Sequence, residues 1–174
     1  MNNPQYWINK LDLIPHPEGG WYREVYKSGE LIKKERLPER YSGDRHHFTS
    51  IYFLLKSGDP STGSGQGFSA FHRIKSDEIW HFYKGSAIII HMIDSDGNYS
   101  SAKLGKNADD GEVFQFTVPH STWFAAEVSK PDSFALVGCT VSPGFHFDDF
   151  ELGVREKLAE LYPQHKGILS RLTK

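Results

Sequence analysis

The sequence predicts an all-β protein, built as a barrel or sandwich of short strands with a short helix at each end. At least eight short apolar or aromatic runs alternate with Gly, Pro and Asp turn signals, which is typical of such folds. Aromatic residues make up 14% of the chain, and aromatic side chains fit half-buried pleated surfaces. A length of 174 residues suits one domain of ordinary size, so we expect a single domain over residues 1–174.

The strands are predicted from apolar runs that end at turn residues. In chain order they cover residues 21–26, 49–55, 68–73, 78–83, 87–93, 99–104, 113–118, 123–128 and 134–141. The charged segment 27–44 predicts a surface loop, and the sequence DPSTGSGQG at 59–67 predicts a flexible one. The sequence DSDG at 94–97 predicts a hairpin turn.

Both ends of the chain carry helix signals. Asn3 is a suitable N-cap, and Pro4 fits the first turn of a short N-terminal helix. Near the other end, Asp148 or Asp149 can cap a helix over residues 152–161, which Pro163 terminates. The expected architecture is therefore a β-barrel with helical additions at both ends.

Composition excludes several classes of function. The formal net charge is −2 and no basic stripe occurs, so we expect no nucleic-acid partner. The first ten residues lack the apolar core of a signal peptide, and no apolar run approaches the length of a membrane span. The single cysteine, Cys139, cannot form an internal disulfide. We therefore expect a soluble cytoplasmic protein with no membrane partner and a buried, inert thiol.

His72 and Glu78 are the residues that best indicate chemistry. They lie on two predicted strands joined by a tight turn at 75–77, so we expect a hairpin that brings imidazole and carboxylate together. Such a pair suits an acid–base site or a metal site. Alternation along the second strand places Glu78 on the same face as Trp80 and Phe82. A carboxyl group among aromatic rings loses solvation, which raises its pKa and favours proton transfer.

The same stretch resembles the first motif of the cupin superfamily, in which Gly, His-x-His, Glu and a second Gly follow one another. His72, Glu78 and Gly85 match the motif, whereas the second His position holds Ile74. In the frame of the second cupin motif, Pro119 matches and the His position holds Phe124. The resemblance implies a double-stranded β-helix, the cupin jelly-roll barrel, but half of the usual metal ligands are replaced. We therefore expect no metal cofactor; a divalent metal held by His72 and Glu78 is the alternative.

Four longer segments resemble the Cupin_5 subfamily. They are HPEGG at 16–20, SIYFLL at 50–55, HRIKSDEIWHFY at 72–83 and GCTVSPGFHFDDFE at 138–151, so the resemblance extends over nearly the whole chain. It implies a jelly roll like that of the dTDP-4-dehydrorhamnose 3,5-epimerases, and a homodimer. In those epimerases a His–Asp pair acts as the base inside the barrel. The resemblance therefore implies His72 as the base here.

The carboxylate partner of His72 remains open between Glu78 and the acidic residues Asp148 and Asp149, which also suit a helix cap. A carboxylate beside a histidine selects its tautomer and raises its basicity. We interpret His72, Glu78 and Asp148 as the candidate catalytic residues. The candidate ligand-binding residues are polar groups at the barrel mouth and aromatic rings that can stack on a sugar: Glu18, Arg23, Tyr52, Lys75, Trp80 and Trp123.

Three functions follow from these residues. The first is a sugar epimerase or isomerase that uses a His base and no metal. The second is a barrel that binds a small metabolite without catalysis. The third is a metal-dependent cupin enzyme in which His81 or Gln115 supplements His72 and Glu78. In each case the partner is a small molecule held inside the barrel.

Overall fold

The computed structural model describes residues 3–58 and 67–174. Most of the predicted flexible loop at 59–67 lies outside the described residues. In the described part the strands are β1 Ile14–Pro15, β2 Trp21–Lys27, β3 Leu31–Ile32, β4 Arg45–His46, β5 Thr49–Lys56, β6 Phe68–Ile74, β7 Asp77–Gly85, β8 Ile88–Ile93, β9 Tyr99–Leu104, β10 Gln115–Val118, β11 Trp123–Val128, β12 Phe134–Ser142 and β13 Phe150–Leu152. The α-helices are α1 Pro4–Lys10, α2 Arg155–Leu161 and α3 Lys166–Leu172. Short 3-10 helices cover Lys34–Arg36, Ala108–Asp110, Phe147–Asp149 and Pro163–His165.

Two antiparallel sheets form the barrel. One has six strands in the order β1-β2-β5-β12-β7-β10, and the other has five in the order β13-β6-β11-β8-β9. Strands β3 and β4 form a separate two-stranded ribbon within and after the predicted surface loop. The all-β, jelly-roll prediction is confirmed. No helix in the described ranges is long and apolar enough to span a bilayer.

The main core lies between the two sheets. Its largest fully buried side chains include Phe53 and Trp80 from the six-stranded sheet and Ile90 and Phe124 from the five-stranded sheet. Full burial of one such side chain contributes about 1.5–3 kcal/mol, so the facing sheets supply the main apolar stabilisation. Strand β7 alternates, with Glu78 and Trp80 buried between exposed or partly exposed positions. Strands β6 and β11 are buried on both faces, because a second apolar cluster beneath the C-terminal helices covers their outer face.

Strands β6 and β7 do not form the expected hairpin. β6 pairs with β11 and β13 in one sheet, whereas β7 pairs with β10 and β12 in the other. The turn at 75–76 therefore carries the chain from one sheet to the opposite sheet. The prediction of a hairpin was wrong because a short turn between two strands is compatible with either a hairpin or a sheet crossing. As a result, His72 and Glu78 approach the barrel interior from opposite walls.

The helix predictions are confirmed at the N-terminus and corrected near the C-terminus. The Asn3 side chain accepts the backbone N–H of Tyr6 at 2.9 Å and caps α1 as expected. Helix α2 instead begins after Val154, whose side chain makes no capping hydrogen bond. Asp148 and Asp149 belong to an earlier 3-10 turn, and strand β13 separates them from α2. They therefore do not cap the C-terminal helix.

Other local predictions agree with the structure. The turn after β8 has Gly97 at φ +82°, and the Asp94 carboxylate accepts the backbone N–H groups of Asp96 and Asn98. This Asx geometry explains why Asp, rather than an apolar residue, begins the turn. Strands β8 and β9 leave the turn as an antiparallel pair with no register shift.

Candidate active site

A cavity of about 460 Å³ occupies the interior of the barrel. That volume is within the range of sites that bind small metabolites. Its polar wall brings together histidine and glutamate side chains, and the remaining wall is mostly apolar or aromatic. The lining residues are His16, Glu18, Tyr22, Glu24, Lys27, Thr49, Ile51, Phe53, His72, Ile74, Glu78, Cys139, Val141, Phe145, His146, Phe147 and Phe150.

His72 lies on β6 and is almost completely buried. Its Nδ1 is 2.7 Å from the carbonyl oxygen of Ala70, and because a carbonyl only accepts, Nδ1 carries a proton. In the neutral imidazole, Nε2 is therefore the atom with the free lone pair. Burial lowers the pKa of His72 to about 4, so the neutral form is favoured at pH 7.

The carboxyl group that contacts His72 belongs to Glu18, which the sequence placed at the barrel mouth. Its Oε2 lies 3.1 Å from His72 Nε2, and its Oε1 accepts the hydroxyl of Ser69 at 2.8 Å. The backbone oxygen of Glu18 also accepts the N–H of Ala70 at 2.9 Å, which fixes the segment against β6. Burial raises the pKa of Glu18, while its contacts with His16 and Ser69 partly offset that rise.

Glycines after Glu18 allow this segment to turn inward. Gly19 and Gly20 have φ values of +117° and +75°, in the left-handed region that favours glycine. A Cβ on Gly20 would lie 2.7 Å from the carbonyl oxygen of Leu54, which is too close for any other residue. The HPEGG segment is therefore a turn that places a carboxyl group inside the barrel.

His16 completes the cluster. Its Nδ1 lies 3.4 Å from Glu18 Oε2, so one carboxyl oxygen faces two imidazole rings. The ring also packs edge-on against Tyr22, with centroids 4.6 Å apart. Burial lowers the pKa of His16, with Glu18 acting in the opposite direction. Burial thus favours the neutral forms of all three groups, and their protonation is coupled through the shared Glu18 carboxyl group.

Glu78 lines the same cavity from the opposite sheet. Burial is the main cause, and the nearby Glu18 carboxyl the second, of a pKa raised to about 8. Trp80 and Phe82 share its strand face as predicted, with Trp80 fully buried in the core and Phe82 packed against it. A glutamic acid that keeps its proton at neutral pH can act as a hydrogen-bond donor or as an acid.

Two of the polar residues predicted for the site line a second cavity outside the barrel interior. Asp148 is exposed and contacts His146 at 3.4 Å, so it does not reach His72. Lys75 lies 3.5 Å from Asp149 at the same second cavity. Asp148 cannot serve as the partner of His72, because its side chain is exposed and contacts His146, whereas the buried imidazole contacts Glu18.

Four further predicted ligand-binding residues do not line the barrel cavity. Arg23 is exposed and bound to Asp12 at 3.0 Å. Tyr52 packs on the outer cluster beneath α1. Trp80 is in the main core, and Trp123 is in the cluster beneath the C-terminal helices, where Arg73 covers its ring. The three aromatic residues, Tyr52, Trp80 and Trp123, therefore contribute to packing and do not contact the barrel cavity.

The residues that sequence reasoning missed are His16 and the aromatic wall formed by Phe145, Phe147 and Phe150. These three rings contact one another at centroid distances of 5.1–6.2 Å and lie at the cavity. The signal was present in the two segments HPEGG and GFHFDDF, both already recognised as family motifs. Their position relative to His72 depends on the closed barrel and could not be obtained from spacing.

The structure does not fit the usual four-ligand cupin metal centre. Phe124 stands opposite His72 in register, with its ring centroid 4.1 Å from the imidazole, and Ile74 is buried. His81 and Gln115 are paired on the outer side of β7 and β10 and do not line the cavity. Across residues 3–58 and 67–174, no group of three or more His, Cys, Asp or Glu residues has an arrangement that could hold a metal ion.

The fold and the interior site define a cupin-type jelly roll, and the comparisons identify its family. The chain belongs to the Cupin_5 family, described as "Cupin superfamily (DUF985)", which matches residues 5–153. A curated relative, the Uncharacterized protein YML079W of Saccharomyces cerevisiae, is 30% identical over 156 residues, which cover 83% of this chain and 72% of the yeast protein.

Solved structures resemble the chain along its whole length. Protein SO0799 from Shewanella oneidensis is 40% identical with a TM-score of 0.86, covering 100% of this chain and 99% of that one. A hypothetical protein from Leishmania major is 34% identical with a TM-score of 0.85 and covers 99% of both chains. Oxalate decarboxylase from Bacillus subtilis has a TM-score of 0.52 at 16% identity, over 91% of this chain and 36% of that one. The last similarity concerns the fold alone.

Proposed function

We propose that the protein is an isomerase or epimerase that moves a proton on a small, sugar-like carbonyl compound bound in the barrel cavity. The observation that carries this proposal is the contact of His72 Nε2 with Glu18 Oε2 at 3.1 Å, in the same cavity as Glu78. A base and a separate acid at one cavity are the two groups that such a reaction needs.

The His72–Glu18 pair is the proposed base. With Nδ1 committed to Ala70, one proton is shared between His72 Nε2 and Glu18 Oε2. When the proton resides on His72, Glu18 is a carboxylate that can accept a proton from carbon. Ser69 holds the other carboxyl oxygen, so Oε2 is the oxygen that takes part. His16, at 3.4 Å from the same oxygen, favours the ionised form when it is protonated.

Glu78 is the proposed acid. With a pKa of about 8, its protonated form outnumbers the carboxylate by about ten to one at pH 7. It approaches from the sheet opposite His72, so a substrate between the two walls has a base on one side and an acid on the other. Burial is the main cause of this pKa, because the low-polarity surroundings disfavour the charged form.

The proposed step is balanced without a co-reactant. The carbon next to the substrate carbonyl loses its proton to the His72–Glu18 pair, while the carbonyl oxygen receives the Glu78 proton and becomes an enol hydroxyl. Return of a proton to the opposite face of that carbon gives the epimer, and the enol hydroxyl then gives its proton back to Glu78. Return of a proton to the former carbonyl carbon gives the isomer; in that case the hydroxyl on the neighbouring carbon becomes the new carbonyl and gives its proton to Glu78. No electron is transferred in either case.

The cavity walls favour a compact ligand that combines hydroxyl groups with apolar ring faces. The Phe145–Phe147–Phe150 cluster offers ring surfaces on which the C–H face of a sugar can pack. Lys27 and Glu24 line the cavity as a 3.3 Å pair, so neither charge is free to select an ionic ligand at that position. A neutral monosaccharide or a similar polyhydroxy carbonyl compound fits this combination and the volume of about 460 Å³.

Proton exchange with solvent tests the proposal directly. The protein is incubated in deuterated water with a panel of aldoses, ketoses and keto-sugars, and deuterium incorporation is followed by proton NMR. We expect exchange at carbon next to the carbonyl for at least one compound, and a loss of about 10²–10⁴-fold in Glu18→Gln and Glu78→Gln.

Glu151→Gln is the matched control, because Glu151 is half-exposed and pairs with Arg73 outside the barrel interior. Its exchange rate should equal that of the unmodified protein. Absence of exchange across the panel, or equal rates in Glu18→Gln and Glu151→Gln, would contradict the proposal.

A non-catalytic sugar-binding barrel is the second candidate, and one observation favours it. Both oxygens of Glu18 already have partners, a fully satisfied arrangement that is also typical of a structural network. For that function, thermal shift should detect binding of a sugar while solvent exchange stays at the background rate.

A metal-dependent activity requires stoichiometric metal in protein purified without a metal-affinity tag, which elemental analysis measures.

A further inference from the structure

A second cavity of about 470 Å³ lies behind the wall of the barrel cavity. Ile74 and Phe150 line both cavities, so these two side chains form the partition between them. The second cavity is lined by three cationic residues from two parts of the chain, Arg40 and the pair Arg73 and Lys75 at the end of β6, together with Ser121. None of these groups takes part in the chemistry proposed for the barrel interior.

Arg40 and Lys75 are held next to each other by a buried tyrosine. Arg40 Nε donates to the carbonyl oxygen of Lys75 at 2.7 Å, and the Tyr41 hydroxyl donates to the same oxygen at 2.9 Å. The Arg40 guanidinium also lies over the Tyr41 ring at 5.0 Å, and Tyr41 is only 1% exposed. Because the guanidinium is already oriented, little side-chain entropy remains to be lost when an anion binds.

The charges at this cavity leave Arg40 as a cation without a carboxylate. Three acidic residues also line the cavity, and each has a cationic or histidine partner: Asp149 with Arg45, Glu151 with Arg73, and Asp148 with His146. Within the part of the chain that the structure describes, no carboxylate pairs with Arg40, which uses only Nε for a hydrogen bond. Its two terminal nitrogens are therefore available to a ligand.

Lys75 is the second available cation. Its Nζ lies 3.5 Å from Asp149 Oδ1, longer than an ordinary hydrogen bond. Asp149 is already neutralised by two shorter contacts from Arg45, at 2.5 and 2.6 Å. The Lys75 ammonium consequently keeps much of its charge for another partner.

We propose that the second cavity binds a phosphate group, either free or as the monoester of a small metabolite. A planar guanidinium, a lysine point charge and a serine hydroxyl together match the oxygens of a phosphate. This inference does not depend on the function proposed for the barrel cavity, because Arg40, Lys75 and Ser121 do not line that cavity.

Titration with inorganic phosphate tests the site. Binding is measured on the full chain by isothermal calorimetry and by ³¹P line broadening at low ionic strength, with methyl phosphate, sulfate and citrate as further probes. We expect phosphate and methyl phosphate to bind, and Arg40→Gln and Lys75→Gln each to weaken binding at least about tenfold.

Arg36→Gln is the matched control, because Arg36 belongs to the same segment, is exposed and does not line the cavity. It should retain the affinity of the unmodified protein. Asp148→Asn provides a change of opposite sign: removal of an exposed negative charge at the cavity should tighten phosphate binding severalfold. Thermal unfolding of each variant verifies that the protein remains folded.

The outcomes separate the possibilities. No phosphate binding at millimolar concentration, or equal weakening in Arg40→Gln and Arg36→Gln, overturns the proposal. Preference for citrate over both phosphate probes also overturns it. Binding of methyl phosphate as tight as that of inorganic phosphate assigns the site to a monoester, whereas free phosphate alone assigns it to the ion. Glu18→Gln should leave phosphate binding unchanged, so failure at one cavity does not imply failure at the other.

Discussion

Two of the buried acid–base pairs among the described residues, Arg45–Asp149 and His72–Glu18, differ in whether their proton can move. Arg45 and Asp149 form two contacts of 2.5 and 2.6 Å with both side chains at most 4% exposed. His72 and Glu18 form one contact of 3.1 Å and are similarly buried. The hydrogen bond from Arg45 to Asp149 raises the already high pKa of the guanidinium, so the guanidinium remains charged. In the other pair burial favours the neutral forms, so a proton can be exchanged with a ligand.

The comparison teaches that burial alone does not mark a catalytic pair. The Arg45–Asp149 pair fastens the segment after β12 to the ribbon that contains β4, and the Arg45 guanidinium keeps its proton because its pKa is raised further. The His72–Glu18 pair lies at a cavity and contains two groups whose protonation can change together. Arg45–Asp149 is therefore a structural pair, whereas His72–Glu18 is the pair at the candidate active site.

Asp149→Asn is the substitution with the largest expected effect. It leaves the Arg45 charge buried without a counter-charge, so the free energy of unfolding should fall by about 3–5 kcal/mol. Urea unfolding followed by circular dichroism measures the loss. The exposed neighbour Asp148→Asn is the control and should change stability by less than about 0.5 kcal/mol. Equal stability of the two variants would show that Arg45–Asp149 is not the structural pair.

Glu78→Gln tests whether the cavity wall holds a neutral acid. The folded-state pKa of about 8 is above the usual 4.5, so the folded protein binds this proton more tightly than the unfolded chain. Stability therefore falls as pH rises from about 4.5 to about 8, by about 1.4 kcal/mol per pKa unit at most. The variant lacks that loss and should be more stable than the unmodified protein by a few kcal/mol at pH 9. The melting temperatures of Glu78→Gln and of the unmodified protein are compared from about pH 5 to about pH 9. If the difference between the two melting temperatures does not change with pH, the raised pKa of Glu78 is contradicted.

Ser69→Ala removes the hydrogen bond that orients Glu18. Ser69 and Glu18 are both buried, so loss of this 2.8 Å bond should lower stability by about 1–2 kcal/mol. The bond also lowers the pKa of Glu18, so its removal should raise that pKa, measured by carbon NMR of the carboxyl group. Ser100→Ala, at an exposed position of β9, is the control and should change neither quantity. An unshifted Glu18 resonance in Ser69→Ala would argue against the orienting role.

Glu18→Gln should have the smallest effect on stability. The amide can donate to His72 Nε2 and accept from Ser69, reproducing both contacts of a protonated carboxyl group. At pH 7 we expect a change below about 1 kcal/mol, in contrast to the chemically identical change at Asp149. The same urea unfolding measures it. A loss as large as that of Asp149→Asn would mean that both pairs are ionised and that the distinction between them fails.

Much of the architecture could be predicted because strand and turn signals are local. Strands β9 and β11 have the predicted bounds, the Asn3 cap and the Asp94 turn are as expected, and the strands form the predicted jelly roll. The C-terminal cap was wrong, because an Asp before an apolar run suits a helix cap, a turn or an ion pair equally well. The buried Arg45, distant in sequence from Asp149, decides among these.

The candidate site was only half predictable. Alternation placed Glu78 on the inner face of β7 with Trp80, and the motif spacing singled out His72, which the structure places at the same cavity. The partner of His72 could not be found in this way. Glu18 reaches it through an inward glycine turn, and the bonds of that turn to Ser69 and Ala70 form only when the two segments meet.

The sequence by itself determined the class of barrel and two of the side chains inside it, because periodic burial and turn chemistry depend on neighbouring residues. The tertiary structure alone decided that His72 and Glu78 stand on opposite sheets and that Glu18 is the group in contact with the imidazole. The physical reason is that sheet order and barrel closure set distances between remote segments. Those same contacts exclude water, and burial is what shifts the pKa values of Glu18, His72 and Glu78 toward their neutral forms.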